Sequence, residues 1–362
     1  MKSKPFIALT LPYILAILTC CNGQNPQQSH AQQTSVEKKS LGNQVTQLAS
    51  DAMVIYRDKQ NNLWFGSKAK GLYKYDGKKL VLFTTNDGVC GYHTLSVQED
   101  NQGNLYFDTP KGICKYNGKK FTRLKVTKDN KNEWKLTQND LWFRMGWEHS
   151  GPFRYDGKNL YQLTFPKNDQ EVAFRKINPN LSFNPYGIYS LYKDTKGNIW
   201  MGTSSLGIYM FDGKSIYWMY EKQLTETPSG GAFGIRSIAE DKAGNYWICN
   251  ANYKYELLSN AGKSTTLKLL SYKRQTGIPN NRELYFLSIS TDSKGELWMQ
   301  TYGDGLWRNN GKGLAQVFIK VNNVNISPTA MYQDKQGVLW FGTEKQGIFK
   351  YNGKAFEKFE IK

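Results

Sequence analysis

Seven copies of one short pattern constrain the fold of this 362-residue chain more than any other feature. The pattern is Asp-x-x-Gly-Asn, then an apolar residue and an aromatic one; single positions vary between copies, and the third copy is clipped to 139–142. The aromatic residues that end the copies are Trp64, Tyr106, Trp142, Trp200, Trp247, Trp298 and Trp340. They lie 36 to 58 residues apart, about the length of one four-stranded propeller blade.

A second pattern, an Asp-Gly-Lys or Asn-Gly-Lys turn, follows each copy of the first. The turns begin at Asp76, Asn117, Asp156, Asp212, Asn260, Asn310 and Asn352, with one inserted residue in the fifth. Such turns between apolar runs predict hairpins, with positive φ at both central residues of a type I′ turn. Each unit is therefore predicted to contain four strands, which in the fourth unit are 187–194, 198–203, 207–211 and 215–220.

These patterns predict an all-β chain that folds as a seven-bladed β-propeller of four-stranded antiparallel blades. The predicted blades span approximately 52–83, 93–126, 133–165, 187–220, 234–272, 285–319 and 326–361. Small residues near the middle of the predicted first strands suit the crowded axis of such a ring; they are Ser96, Ser190, Ser237, Ser288 and Ala330. We expect the ring to close by noncovalent contacts between blades one and seven.

The N-terminus predicts a secreted and membrane-anchored protein. Lys2 and Lys4 precede an apolar run over 6–18, which is too short to span a bilayer, and the sequence turns polar after Cys21. Residues 1–21 resemble a bacterial lipoprotein signal peptide. Cys21 fits as the lipidated residue slightly better than Cys20, because Leu18 suits the third position upstream; an uncleaved membrane anchor is the alternative. The Gln-, Asn- and Ser-rich residues 22–50 are predicted to form a flexible polar tether.

The strongly basic composition does not indicate nucleic-acid binding for a protein at this location. The net charge is +18, but a protein outside the cytoplasm does not meet DNA. We expect it in the cell envelope, lipid-anchored to the outer membrane and facing the periplasm. Seven of the lysines recur with the turns: Lys78, Lys119, Lys158, Lys214, Lys263, Lys312 and Lys354. They either keep exposed turns soluble or form a basic rim for anionic lipid, lipopolysaccharide or acidic glycan.

The repeats are similar to a known family. Asp-x-x-Gly-Asn-Leu-Trp-Phe-Gly-Thr, followed by Gly-Leu-Tyr-Lys-Tyr-Asp-Gly-Lys as at 71–78, resembles the two-component regulator propeller repeat over nearly all of 52–362. The resemblance implies a periplasmic sensor domain of the kind found in hybrid two-component systems, many of which recognise glycan fragments. This sequence shows no second propeller, kinase domain or receiver domain, so we expect any sensing to act through a protein partner.

Motifs for cofactors and metals are not convincing, so none is expected. The segment 262–264 ends like a phosphate-binding loop, but Leu257 stands where the first Gly belongs. The repeated turn lacks the spaced carboxylates of a calcium loop. Cys90, Cys114 and Cys249 have no metal-ligand spacing. They are expected to replace apolar or small strand residues, with a Cys90–Cys114 disulfide as the alternative.

Candidate ligand-binding residues lie in loops where the repeat pattern breaks, on the face that carries the central mouth of a propeller. Aromatic rings beside arginines and carboxylates suit sugars or acidic oligosaccharides. The candidates are Tyr92, His93, Arg144, Trp147, His149, Arg175, Tyr186, Arg236, Arg282, Tyr285, Tyr302 and Asp304. Arg236 stands where other units carry uncharged residues, and either ligand contact or a structural ion pair would explain it. Trp147 either packs on its blade or stacks on a ligand.

Three functions fit the sequence. The first is a membrane-anchored sensor-type module that binds a small molecule or oligosaccharide and acts through an envelope protein. The second is a protein–protein scaffold at the cell envelope. The third is an enzyme similar to the streptogramin lyase family, which would need a catalytic histidine. Because His93 and His149 lie in no recognisable catalytic motif, we predict a protein that is not an enzyme. The sequence leaves open the ligand, the partner, the membrane leaflet and the oligomeric state.

Overall fold

Seven antiparallel sheets follow one another along the chain as the blades of a β-propeller, which confirms the predicted fold class. The computed structural model describes residues 41–128, 131–226, 233–257, 269–301 and 303–361. The predicted signal peptide, the lipidation cysteines Cys20 and Cys21, and the tether up to residue 40 lie outside these ranges. The turn lysine Lys263 and the candidate Tyr302 also lie outside them.

The strands of each blade follow sequence order from the axis outward, apart from β1. Blade one contains β1 (Asn43–Val45), β2 (Ala52–Arg57), β3 (Leu63–Ser67), β4 (Leu72–Tyr75) and β5 (Leu80–Phe83). Blade two contains β6 (Ser96–Glu99), β7 (Leu105–Thr109), β8 (Gly112–Tyr116) and β9 (Phe121–Arg123). Blade three contains β10 (Leu141–Phe143), β11 (Phe153–Tyr155) and β12 (Leu160–Gln162). Blade four contains β13 (Ile188–Lys193), β14 (Ile199–Thr203), β15 (Ile208–Phe211) and β16 (Ile216–Met219).

The remaining blades are built in the same way. Blade five contains β17 (Ile238–Glu240), β18 (Tyr246–Ile248), β19 (Tyr253–Leu257) and β20 (Leu269–Arg274). Blade six contains β21 (Phe286–Thr291), β22 (Leu297–Thr301), β23 (Leu306–Asn309) and β24 (Leu314–Val317). A hairpin of β25 (Ile319–Val321) and β26 (Val324–Ile326) precedes blade seven. Blade seven contains β27 (Pro328–Gln333), β28 (Leu339–Thr343), β29 (Ile348–Tyr351) and β30 (Phe356–Lys358).

Among the described residues, helices are few and lie in connections. They are α1 (Gln170–Ile177), α2 (Lys222–Thr225) and two 3₁₀ turns at Thr85–Asp87 and Pro279–Asn281. Within the described ranges, none of the helices has the length and apolar character that crossing a membrane requires.

The six Asp/Asn-Gly-Lys segments within the described ranges form hairpins as predicted, but the turn type differs; the fifth, at 260–263, lies outside those ranges. Tyr75 pairs with Leu80, so the loop contains four residues, and in it only Gly77 has a positive φ, of 96°. The Asp76 carboxylate accepts the backbone N–H groups of Lys78 and Lys79 at 2.8 and 2.7 Å. Side-chain acceptance of two N–H groups stabilises this loop, and the predicted type I′ turn is wrong.

Blade three departs from the expected four strands. The clipped repeat becomes its innermost strand, β10, which pairs with β11. Among the described residues between blade two and β10, none forms an inner strand. The chain runs instead along the outside, where Val126 pairs with Leu160 and Trp134 packs on Phe165. Blade three therefore leaves a gap at the axis of the ring.

Part of the predicted tether belongs to blade one. Asn43 and Val45 pair with Leu82 and Leu80 on the outer strand, and Leu48 packs against the cluster between blades one and seven. The prediction of a tether reaching residue 50 is wrong over residues 41–50, because their apolar side chains cover the outer edge of the blade.

Blades one and seven meet through an ion pair and a shared core. Arg57 Nε lies 2.9 Å from the buried Asp334 carboxylate, and the Arg57 N–H donates to the Tyr332 hydroxyl at 3.3 Å. Phe65 of blade one and Trp340 of blade seven share one apolar cluster. These noncovalent contacts close the ring.

The aspartate of the repeated pattern organises six of the seven blades. In blade four, Asp194 Oδ1 accepts the Asn198 N–H at 2.8 Å and Oδ2 accepts the Trp200 indole N–H at 2.9 Å. Oδ2 also accepts the Tyr246 hydroxyl of blade five at 2.8 Å. One buried carboxylate thus fixes the turn, the blade core and the contact with the next blade.

Cys90 and Cys114 form a disulfide, with 5.7 Å between their Cα atoms. The expectation that both merely replace apolar strand residues is wrong, because the loop before blade two folds back and places Cys90 beside β8. Both cysteines are buried in the core shared by blades one and two. Cys249 is a free, buried cysteine. Disulfides persist in oxidising compartments, so this bond agrees with an envelope location.

The aspartate–indole bond can be tested with two matched substitutions. The Trp142 indole N–H in blade three is buried and has no hydrogen-bond partner among the described residues, because Asp140 instead accepts from Arg154 at 2.7 Å. Trp200→Phe and Trp142→Phe remove the same volume, but only the first breaks a bond to a carboxylate. We expect Trp200→Phe to cost about 1.5–3 kcal/mol more free energy of unfolding in urea titrations. Equal losses for the two variants would contradict this role.

Candidate functional site

A central cavity of about 530 Å³ lies on the axis of the ring. Its wall consists mainly of the innermost strands, whose predicted small residues Ser96, Ser190, Ser237, Ser288 and Ala330 all line it. Small side chains at these positions leave space where the strands converge. The volume falls within the range of small-molecule sites, roughly 300–1,000 Å³. Three of the predicted candidates line this cavity: His93, Arg144 and Arg236.

Arg144 occupies the gap that blade three leaves at the axis. Its Nη1 donates to the backbone carbonyl of Tyr189 on β13, and its Nη2 donates to the carbonyl of Leu95, next to β6, at 3.4 Å. The guanidinium therefore bridges blades two and four where an inner strand of blade three would otherwise lie. Both carbonyls gain a donor, which replaces part of the missing backbone pairing.

Asp108 lies beside Arg144 and is fully buried. Its two carboxylate oxygens accept the backbone N–H groups of Arg144 and Met145, each at 3.0 Å. Burial raises the pKa of Asp108 to about 6, although the nearby Arg144 guanidinium and the two N–H groups act to lower it. Burial also lowers the pKa of Arg144. Desolvation therefore affects the pKa values of Asp108 and Arg144 more than the attraction between them does.

Asp108 is a functional candidate that our sequence reasoning missed, although the repeat contained the signal. The strand register places Asp108 opposite Ser96, as Gly202 lies opposite Ser190 and Gly342 opposite Ala330. A Cβ atom at Gly202 would lie 2.4 Å from the carbonyl oxygen of Ile235 in the next blade. Asp108 has room for a side chain because the next blade lacks its inner strand.

Arg236 lies at the entrance of blade five and is exposed to the cavity. Its Nε donates to the Phe233 carbonyl at 3.0 Å. Its guanidinium carbon lies 4.6 Å from the centre of the Tyr189 ring and 5.2 Å from that of Phe233. Within the described part of the chain, no carboxylate forms an ion pair with Arg236. Tyr189, another residue that sequence reasoning missed, thus contacts both cavity arginines.

His93 lies at the wall of the cavity, near an exposed aromatic residue. The ring centroids of His93 and Trp147 are 6.3 Å apart in an edge-on arrangement, and Trp147 is 38% exposed. Burial lowers the pKa of His93, and the Arg144 charge lowers it further. His93 is therefore mainly neutral at pH 7. Next to it, the buried Thr94 hydroxyl lines the cavity and has no hydrogen-bond partner among the described residues.

Four further candidates lie in loops around blades two to four, outside the cavity wall. His149 packs edge-on against Phe153 at 4.8 Å, and burial lowers its pKa. The Tyr92 and Thr85 hydroxyls lie 3.2 Å apart. The buried Tyr186 donates its hydroxyl to Glu171 at 2.8 Å, and Arg175 pairs with the same carboxylate at 2.8 Å.

Candidates near blade six form a second group away from the cavity. Arg282 pairs with Asp304 at 2.8 Å and lies over the Trp307 ring. The Tyr285 hydroxyl donates to the Glu226 carbonyl at 2.8 Å. The Tyr285 ring packs on Phe233 at 5.0 Å and so supports the residue beneath Arg236. Among the described residues, no cluster of His, Cys, Asp or Glu could hold a metal ion.

Comparison with known sequences supports the resemblance of the repeats. The family model described as two component regulator propeller matches residues 182–205 and 320–345, which include the first two strands of blades four and seven. The chain therefore contains two-component regulator propeller repeats, as predicted. No curated protein matches the chain in sequence.

Solved structures with the same fold come from proteins of several kinds. The extracellular domain of the putative hybrid two component system BT4673 from B. thetaiotaomicron has a TM-score of 0.58 and 20% identity, covering 87% of this chain and 40% of that one. A streptogramin B lyase has a TM-score of 0.57 and 16% identity, covering 85% and 95%. PorZ, a surface component of the type-IX secretion system of Porphyromonas gingivalis, has a TM-score of 0.57 and 15% identity, covering 84% and 48%.

These similarities show the propeller fold alone, because the identities are low. The chain spans about 40% of the length of the two-component domain it matches.

The role of Arg144 can be tested through the pH dependence of stability. The pKa of Asp108 in the folded protein, about 6, lies above its unfolded value of about 3.9. Ionising Asp108 therefore costs folding free energy as the pH rises from about 4 to 6. Arg144→Met removes a positive charge that lowers this pKa, so the variant should lose about 1–2 kcal/mol more stability near pH 8 than near pH 4.5 in urea titrations. Arg144→Lys retains the charge and should show a smaller difference between the two pH values. A loss that is independent of pH would contradict the coupling.

Proposed function

We propose that the chain is a ligand-binding, sensor-type propeller of the cell envelope that takes a small ligand in its central cavity and acts through a protein partner. The observation that carries this proposal is the cavity of about 530 Å³ with His93, Arg144 and Arg236 in its wall. A central channel is common to propellers, so the open axis supports ligand binding only together with the residues that line it. Here the small inner-strand residues leave it open, and the charged residues beside it occur where the repeat pattern breaks.

The comparisons support the same class of function. The chain contains two-component regulator propeller repeats, and the putative two-component systems BT4673 and BT3049 carry similar propellers in their extracellular domains. The ligand class we favour is an oligosaccharide, because the rings of Tyr189 and Tyr192 lie in the cavity wall together with arginines and hydroxyl groups. Aromatic faces and hydrogen-bonding groups in a concave site suit sugar rings.

The lyase alternative depends on His93. Streptogramin B lyase and virginiamycin B lyase share the fold, and such chemistry would need a histidine at the cavity. His93 lines the cavity, whereas His149 packs against Phe153. The unpaired Arg236 and the lack of a carboxylate hydrogen-bonded to His93 among the described residues favour binding over catalysis. Loss of substrate turnover in His93→Ala would favour the enzyme.

The envelope location is part of the proposal and rests on the N-terminal sequence. Residues 1–21 would act as the signal peptide, and Cys21, or alternatively Cys20, would carry the lipid. The Cys90–Cys114 disulfide supports a compartment outside the cytoplasm. The turn lysines that the structure describes lie on the face of the ring opposite the loops that enter the blades. They keep the exposed turns soluble, unless this rim binds the ligand.

Ligand binding in the cavity can be tested with a thermal-shift screen of residues 22–362 against neutral and acidic oligosaccharides. A ligand at 100 times its dissociation constant should add ~2.7 kcal/mol of stability. Ala330→Phe places a ring in the cavity and should abolish the shift, while Lys312→Ala, on the turn rim, should preserve it. Loss of binding in Lys312→Ala alone would place the ligand on the rim. No shift with any glycan would favour the scaffold.

Lipid anchoring can be tested in the full-length chain expressed in a Gram-negative host. Cys21→Ser should abolish incorporation of radiolabelled palmitate, because serine lacks the thiol that carries the lipid, and it should weaken membrane attachment, because stable anchoring needs the acyl chains. Cys20→Ser is the matched control and should remain lipidated. The reverse pattern would assign the lipid to Cys20, and membrane retention of both variants without label would indicate an uncleaved anchor.

A further inference from the structure

Arg236 lacks the carboxylate partner that several other arginines of the described residues have. Arg57 pairs with Asp334 at 2.9 Å and Arg154 pairs with Asp140 at 2.7 Å. Arg236 has no such partner within the described residues, although it lies in the wall of a concave cavity. Its side chain is exposed to the cavity, so the charge is hydrated there and is available to a ligand that enters.

The position of Arg236 in the repeat also sets it apart. The equivalent residues at the entrances of other blades are Leu95, Tyr189, Leu287 and Thr329. All are uncharged, so the propeller scaffold does not require a cation at this point. Leucine occurs at this position twice, which shows that the fold accepts an apolar side chain here.

The contacts of Arg236 fix its guanidinium and leave one edge free. Nε donates to the Phe233 carbonyl, and the plane lies between the rings of Tyr189 and Phe233. No acceptor among the described residues bonds to Nη1 or Nη2. A planar guanidinium held in this way presents a pair of parallel donors, which matches the two oxygens of a carboxylate or sulfate.

The rest of the cavity wall increases the preference for an anion. Arg144 contacts the same Tyr189 through its backbone carbonyl. Asp108 is the one carboxylate among the described cavity-lining residues, and both of its oxygens already accept backbone N–H groups. The two arginines therefore leave an excess of positive charge in a confined space, where low-dielectric walls strengthen the field.

We propose that the central cavity recognises a carboxylate or sulfate group on its ligand, and that the free edge of Arg236 binds this group while Arg144 provides a second positive charge. The proposal rests on the proposed function, since it assumes that the ligand enters the central cavity. It narrows the ligand to a small anionic molecule with a ring or other body that fills the remaining volume.

Three monosaccharides can show whether the charge or the sugar ring determines the affinity. They are D-glucuronate, D-glucose 6-sulfate and D-glucose, each titrated calorimetrically into residues 22–362. The wild type should bind at least one of the two anions about tenfold or more tightly than glucose. Arg236→Leu should weaken that binding by about tenfold or more. Arg236→Lys, which retains the charge without the planar fork, should lie between them, and Lys354→Leu, which removes one charge from the turn rim, should bind like the wild type. Tighter binding of D-glucuronate would show that the cavity recognises a carboxylate, and tighter binding of D-glucose 6-sulfate would show that it recognises a sulfate.

Several outcomes would overturn the inference. The inference is wrong if Arg236→Leu binds the anions as tightly as the wild type does while both proteins melt at similar temperatures. It is also wrong if the wild type binds neither anion at concentrations up to roughly 10 mM. If a neutral glycan binds, is blocked by Ala330→Phe and is unaffected by Arg236→Leu, the proposed function stands and the anion preference is wrong. If no neutral or anionic probe binds, both proposals are wrong.

Discussion

In six of the seven blades the aspartate of the repeated pattern accepts a hydrogen bond from the aromatic residue that ends the pattern, and the ring depends on this interaction. In blade four the Asp194 carboxylate accepts from the Asn198 backbone, the Trp200 indole and the Tyr246 hydroxyl of the following blade. The same arrangement with the indole recurs at Asp58, Asp241, Asp292 and Asp334. A carboxylate that accepts several donors in a dry environment tolerates little displacement. Its repetition therefore fixes the start of the second strand in these six blades, and in blade four it also fixes the contact with the next blade.

Blade three lacks this arrangement, and its inner edge is irregular. Asp140 pairs with Arg154 and leaves the Trp142 indole N–H without a partner among the described residues. The blade lacks the strand that lies innermost in the other blades, so that β10 takes the innermost position, and Arg144 and Asp108 occupy the space that the missing strand would fill. Each of these two residues stands at the repeat position held by glycine at Gly66, Gly202 and Gly342. At Gly202 a Cβ atom would lie 2.4 Å from the Ile235 carbonyl oxygen of the next blade, whereas the missing inner strand leaves room for the side chains of Asp108 and Arg144.

The sequence predicted the regular parts of the fold well, because each unit carries its own turn and strand signals. The predicted strands of blade four differ from β13–β16 by at most one residue at each end. The loss of one strand from blade three was not predicted, because the clipped repeat still contains Asp140, Leu141 and Trp142. The disulfide depends on a loop that folds back on its blade, which no local pattern encodes. Of the candidate site, sequence reasoning found Arg144 and Arg236 as breaks in the repeat, but it missed Asp108, although Asp in place of Gly was visible there.

The departures from the repeat also explain why the cavity could distinguish ligands. A ring of seven identical blades would place identical groups around its axis and offer a ligand the same surface in every orientation. Here the regular blades contribute small, apolar and hydroxyl residues such as Ser288 and Ala330, whereas blades three and five contribute arginines that meet at Tyr189 of blade four. One side of the cavity is therefore cationic and the other nearly neutral. Such an asymmetric wall orients a ligand with one charged end, because only one orientation brings its anion to the guanidinium groups.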